Sequence, residues 1–223
     1  MRKLSKKLTS IFSIFTFIIL VSGCSNQLSE NIKEKSYSAS ANDIEEINIS
    51  VKDRKIKIIP STDDEIRISY YENEKEFYTI SMNENGILSM QSESDRDISD
   101  YFGISSPDSH LITLEIPSSF HGNMVIKTTN NNIILPEIHI AGDLNIDINN
   151  GDILLNKLFV QKNITLHAKN GGISGILNGS YDDFEINSEA RKGNNNLPTS
   201  KEGGNKTLTA TTNNGDINIV FEK

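Results

Sequence analysis

From Met124 to the C-terminal end the chain alternates apolar and polar residues in short runs, and the runs recur. Met124, Leu144, Ile164, Phe184 and Leu208 each open one. An Asn-containing turn follows six residues later, or ten in the fourth copy, which holds four extra residues before Asn194. The turns are Asn130-Asn131-Asn132, Asn150-Gly151-Asp152, Asn170-Gly171-Gly172, Asn194-Asn195-Asn196 and Asn214-Gly215-Asp216. Before each turn the pattern is of the type Leu144, Ile146, Ile148, and after it Ile153, Leu155 or Ile217, Ile219, Phe221. Period-two alternation with one apolar face predicts half-buried strands. A fixed period near 20 residues predicts stacked repeats, because one such unit has nothing of its own to bury against.

The columns of this alignment carry the fold prediction. Asn130, Asn150, Asn170, Asn194 and Asn214 share a position where stacked coils let each side-chain amide bond the next. The following column, Asn131, Gly151, Gly171, Asn195 and Gly215, holds residue types that tolerate positive φ, as a sharp turn requires. Ile138 with Ile140, and Leu158 with Val160, predict a short third strand in the first two coils. The expected class is therefore all-β, a β-solenoid with coils of about 20 residues, each adding about 4.8 Å along the axis. The alternative is an antiparallel β-sandwich of hairpins, since Asn-Gly is also a hairpin signal.

Upstream, Ile47, Ile49 and Val51, a polar Lys52-Asp53-Arg54-Lys55 turn, then Ile56 and Ile58 repeat the same nine-residue offset, so the solenoid is expected to begin there in degenerate form. Further strands are expected at Ile66 to Tyr70, Tyr78 to Met82, Ile87 to Met90 and Leu111 to Ile116, the last ended by Pro117. No stretch of this region carries a capped helical period.

The first residues change the picture from fold to address. Arg2, Lys3, Lys6 and Lys7 precede an apolar run from Ile11 to Val21, and Val21-Ser22-Gly23-Cys24 follows at once. Basic start, short apolar core and small residues make a signal peptide of residues 1–23. The run is shorter than the roughly 20 residues a membrane-spanning helix needs. This segment resembles a bacterial lipoprotein signal with its lipobox, which implies cleavage before Cys24 and a diacylglyceryl group on it. Cys24 is also the chain's single cysteine, so disulfides and cysteine metal sites are excluded. Residues 24–43, rich in Ser, Asn, Glu and Lys, read as a flexible spacer, and residues 44–223 as the β-repeat domain.

The chain holds 22 Lys plus Arg against 30 Asp plus Glu, and the leader takes away four bases and no acid, moving the net charge from −8 to −12. An acidic domain argues against nucleic acid and against electrostatic docking on anionic lipid. Candidate chemistry is thin. Asp143 and Asp183 share a column expected to place them two coils apart, about 9 to 10 Å, near the upper limit for an inverting glycosidase pair. Asp and Asn before a strand are also ordinary turn formers. Asp152 and Asp216 share another column, expected three coils apart, and Asn-Gly-Asp turns offer oxygen ligands to calcium, but the column is interrupted at Gly172. His110, His121, His139 and His167 follow no ligand spacing. No catalytic residue, metal ligand or cofactor is assigned.

Leu111-Ile112-Thr113-Leu114-Glu115-Ile116-Pro117, the Asn-Gly coils, Gly193-Asn194-Asn195-Asn196-Leu197-Pro198 and the ending Thr211-Thr212-Asn213-Asn214-Gly215-Asp216-Ile217-Asn218-Ile219 together resemble the bacterial putative-adhesin domain family of unknown function, over roughly residues 44 to 221. The resemblance implies an exported or membrane-attached β-repeat protein of Gram-positive type and carries no catalytic residues. The expected function is that of a lipid-anchored envelope protein on the extracytoplasmic side. Its partners would be the membrane, through Cys24, and an envelope polymer or membrane protein. The alternatives are an accessory regulator of an envelope-stress system and, last, a glycan-active enzyme. Ser92 to Ser109, with Tyr101 and Phe102, and Ser188 to Gly204, with Arg191, Lys192 and Lys201, are irregular segments where binding specificity is expected.

Overall fold

A computed structural model of the chain describes residues 32–94 and 110–223. The described residues form strands and short turns: β1 Lys33–Ser40, β2 Glu46–Val51, β3 Lys55–Pro60, β4 Glu65–Glu72, β5 Glu76–Met82, β6 Ile87–Ser94, β7 Leu111–Ile116, β8 Asn123–Asn130 and β9 Ile133–Leu135. Then come β10 Ile138–Ile140, β11 Leu144–Asn150, β12 Ile153–Val160, β13 Ile164–Asn170, β14 Ile173–Asn178, β15 Phe184–Ala190, β16 Ser200–Lys201, β17 Lys206–Asn214 and β18 Ile217–Glu222.

Each coil sends its strand before the turn to one sheet and its strand after the turn to the other. Sheet B runs β16-β15-β17-β13-β11-β8-β2-β6-β5, and sheet A runs β1-β4-β7-β3-β9-β12-β14-β18, with β10 beside β12. The repeats pair in parallel, and all but the fourth keep the register of the sequence alignment: Met124, Leu144, Ile164 and Leu208 lie side by side, as do Ile133, Ile153, Ile173 and Ile217. The fourth copy is shifted by two residues, so that Ile186, and not Phe184, stands beside Leu208. This is a β-solenoid. The antiparallel layout is confined to the ends, where β5 covers β6, β16 covers β15, and β1 and β4 extend sheet A beyond β7. Antiparallel additions are the physical answer to the open edge of a parallel stack.

Between the sheets lies one core. Ile49, Ile56, Ile126, Ile146, Leu166 and Leu208 have no exposed surface, and each such side chain contributes about 2 kcal/mol relative to exposure. The degenerate first coil is real: Ile47 pairs with Met124 and Ile56 with Ile133. Ile138–Ile140 is a separate strand as expected, but Leu158–Val160 continues β12 past a bulge at Lys157, whose φ is 62°.

Three expectations are corrected. The coils do not stack in chain order: β17 pairs β13 on one side and β15 on the other, so the last coil is wedged beneath the one before it. The first coil is likewise wedged, since β2 lies between β6 and β8, and β3 between β7 and β9. The spacer does not reach Asp43, because Lys33–Ser40 is a strand paired with β4 and rests Tyr37 and Ala39 against the core. Ser188 to Gly204 is a built cap: Ser188 is buried, its backbone N–H donates to Thr199 O at 3.0 Å and its Oγ to Pro198 O at 2.8 Å.

Candidate functional site

The turn columns show what the polar residues of the repeat do. Asn214 Nδ2 donates to Asn170 Oδ1 at 2.6 Å, Asn170 Nδ2 to Asn150 Oδ1 at 2.8 Å and Asn150 Nδ2 to Asn130 Oδ1 at 2.8 Å, and Asn130 Nδ2 ends the ladder on Asp53 Oδ1. Asn130, Asn150 and Asn214 are exposed, so the ladder is an outer seam. Asn194 is no part of it; its backbone N–H donates to Asp216 Oδ1 at 2.7 Å. One column on, close stacking demands glycine. At Gly171, with φ 152°, a Cβ would lie 1.9 Å from Gly151 O.

The acids of the sequence analysis are occupied in the same manner. Asp143 N–H donates to Asn123 Oδ1, and Asp143 Oδ1 accepts from Asn163 N–H, both at 3.0 Å. Asp183 belongs to a capping box with Ser180, accepting the Ser180 N–H at 2.9 Å. With β17 inserted, Asp183 stands three coils from Asp143 and two residues out of its column, since Phe184 pairs with Lys206 and not with Leu208. The three strand spacings alone are about 14 Å, beyond the separation of a glycosidase pair. Asp152 and Asp216 are two coils apart and not three, because β18 lies directly beside β14. Asp152 Oδ1 accepts from Gly172 N–H at 2.8 Å. Among the described residues no three His, Cys, Asp or Glu side chains converge on a metal position.

The histidines are dispersed. His110 Nδ1 faces Arg54 Nη1 at 2.9 Å, His121 Nδ1 faces Ser119 O, His139 stacks on Phe159 at 4.1 Å, and His167 Nδ1 faces Thr211 Oγ1 at 2.8 Å. Burial, and then the neighbouring His121, hold the His139 pKa below the ordinary value. Cys24, Tyr101 and Phe102 lie outside the described residues.

Arg54 was not singled out by sequence. It is 3% exposed, donates to Tyr78 Oη and to Asp53 O at 3.2 Å, and pairs with Glu76 at 3.0 Å. Burial opposes its charge, but Tyr78 and Glu76 outweigh that and raise its pKa. The one available signal was a fourth charged residue in Lys52-Asp53-Arg54-Lys55, where other coils carry Asn or Gly. Its place under β5 makes it a plug for the end of the stack.

The remaining chemistry lies on the outward side of sheet B. Alternation turns Ser50, Lys127, Asp147, His167, Thr211 and Glu189 outward in one row across the strands. The next row, two residues on, holds Lys52, Thr129, Asn149, Lys169, Asn213 and Arg191; Lys52, Asn149, Lys169 and Arg191 are exposed. A groove of about 420 Å³ opens at one end of these rows, lined by Ser50, Lys52, Gln91, Lys127, Asp147 and Asn149 among others. It presents two ammonium groups and one carboxylate with hydroxyls and amides, a set suited to hydrogen-bonding a polar ligand and lacking a nucleophile-base pair.

The comparisons with known proteins can now be set beside this geometry. Residues 118–220 match the model of the Toastrack family. That segment belongs to the Toastrack DUF4097 family. A putative cell adhesion protein from Clostridium sporogenes is similar in structure, with a TM-score of 0.60 and 16% identity over 86% of this chain and all of that one. At that identity the likeness is one of fold. Putative adhesins from Bacteroides fragilis (TM-score 0.35, 16% identity, 89% of this chain and 100% of that) and Parabacteroides distasonis (TM-score 0.28, 12% identity, 86% and 98%) also match. No curated protein matches. The Toastrack match begins just before β8, yet the coils made of β2, β3, β6 and β7 precede it and stack in the same two sheets.

Proposed function

We propose that this chain is an exported lipoprotein, held by a lipid on Cys24 to the extracytoplasmic side of a bacterial membrane, whose Toastrack domain is a non-catalytic binding module of the cell envelope. The observation that carries the reading is the outward side of sheet B. Its polar rows are held at coil spacing by a rigid scaffold, while the carboxylates that could have formed an acid-base pair stand three coils apart, more than about 14 Å, and serve as backbone acceptors. A surface of fixed polar groups without a reacting set binds and does not turn over. The names given to the structural neighbours agree with an adhesive role. No helix among the described residues is long and apolar enough to cross a membrane; the attachment proposed is the lipid on Cys24.

Two measurements test this. Cys24→Ser should release the domain from the membrane fraction; retention of an uncleaved chain by its apolar leader would refute the lipoprotein. Cells or wall fragments should retain the purified domain without chemical change to their glycans, and released sugar products that vanish in Asp143→Asn would replace binding by catalysis.

A further inference from the structure

The two outward rows of sheet B differ in a way that composition hides. The row through Ser50 contains Asp147 and Glu189, beside Lys127 and His167. The row through Lys52 has no acid at any of its six positions, in a chain whose net charge is −8, and Lys52 and Arg191 stand one residue past the ends of β2 and β15. The strand order sets the spacing of its cations. Lys52 and Lys169 are three strand spacings apart, about 14 Å, and Lys169 and Arg191 two, about 10 Å. Thr129, Asn149 and Asn213 occupy the steps between them, each offering hydroxyl or amide donors and acceptors. The groove lies at the Lys52 end with Asp147 also in its lining, and Arg191, in an exposed ion pair with Glu189 at 3.6 Å, lies at the other.

We propose that this row is a track for an extended glycan that carries a negative charge only on every second or third sugar. The inference rests on the binding reading above and names its ligand class. A polymer parallel to the solenoid axis meets a cation every two or three coils, and its neutral hydroxyls meet the amides and hydroxyls between. A polyanion charged at every sugar would gain little at the intervening steps, and Asp147, Glu189 and the net negative field would repel it. A neutral glycan would leave the charges of Lys52 and Lys169 unused. Each exposed cation is individually weak in water, so affinity comes from engaging several at once along one chain. Binding therefore falls steeply with salt.

The test uses the full-length chain in neutral detergent against immobilised hyaluronan oligosaccharides, with one carboxylate per two sugars, beside polygalacturonate, with one per sugar, and neutral dextran. Hyaluronan should bind at least tenfold more tightly than either. The triple variant Lys52→Gln, Lys169→Gln, Arg191→Gln should lose at least tenfold. Lys55→Gln, Lys57→Gln, Lys223→Gln, which removes equal charge elsewhere, should lose none. Equal loss in both triples, equal binding of polygalacturonate or dextran, or loss confined to anionic lipid vesicles would each overturn the track. Envelope fragments separate this from the broader reading. If they sediment with wild-type and track-variant chains alike, the track fails and the binding role stands. If they sediment with neither, in a Cys24→Ser background, both fail.

Discussion

Asn170 accepts a hydrogen bond from Asn214 at 2.6 Å although 44 residues separate them, while Asn194, the intervening Asn of the repeat, bonds Asp216 through its backbone alone. The ladder follows spatial and not chain order, and this makes its members energetically unequal.

Asn170→Ala removes one bond given and one received and should cost about 0.5–1.5 kcal/mol, the ordinary net value of such bonds at an exposed site. Asn194→Ala leaves its backbone bond in place and should cost less than about 0.5 kcal/mol. Denaturant melts of the two variants decide; equal losses would mean the seam is not a ladder.

Gly171→Ala forces a Cβ to 1.9 Å from Gly151 O, backbone that has no flexible end to move aside. A loss of about 3 kcal/mol is expected. Gly203→Ala, at φ 86° with nothing within 4 Å of its Cβ, should lose only the cost of the left-handed conformation, about 1–2 kcal/mol. Thermal midpoints in that order are the check.

Arg54→Ala removes the buried guanidinium with its ion pair to Glu76 and unplugs the end of the stack, with an expected loss of about 3 kcal/mol. Replacing both, Arg54→Met with Glu76→Leu, should recover part of it, because an apolar pair has no charge to desolvate. No recovery in the double variant would show that the plug works by shape and not by charge.

The phenol of Tyr70 is pushed up to about 12, by burial first and then by Glu72 and Tyr78, from an ordinary value of 10.0. The folded domain keeps the proton where the unfolded chain gives it up. Stability from this source is complete below pH 10 and drains away as the pH rises towards 12. Tyr70→Phe should flatten that alkaline decline in urea melts; an unchanged slope would assign the decline to other groups.

Much of the fold was legible because inward residues at period two and the glycine column are local demands, met wherever a coil sits. Ile47 and Ile56 announced the first coil by offset alone. The order of stacking was not legible, because Leu208 is flanked equally well by Ile164 or by Ile186: each neighbour in the stack presents an inward aliphatic side chain there. The four extra residues before Asn194 were the only trace of the rearrangement. Lys33–Ser40 escaped notice because a strand that covers one edge needs only Tyr37 and Ala39 to face inward. The row from Lys52 to Arg191 was not legible because Lys52 and Arg191 stand just past the ends of β2 and β15, where the strand alternation stops.

That interleaving bears on when the protein acquires its shape. A solenoid built in chain order can grow one layer at a time behind a ribosome or a translocation pore. Here the layer made last is an inner one, with β15 waiting for β17 to arrive beneath it. The C-terminal half is therefore completed only after Leu208 to Phe221 have emerged, and under the export proposed above its final assembly would belong to the far side of the membrane.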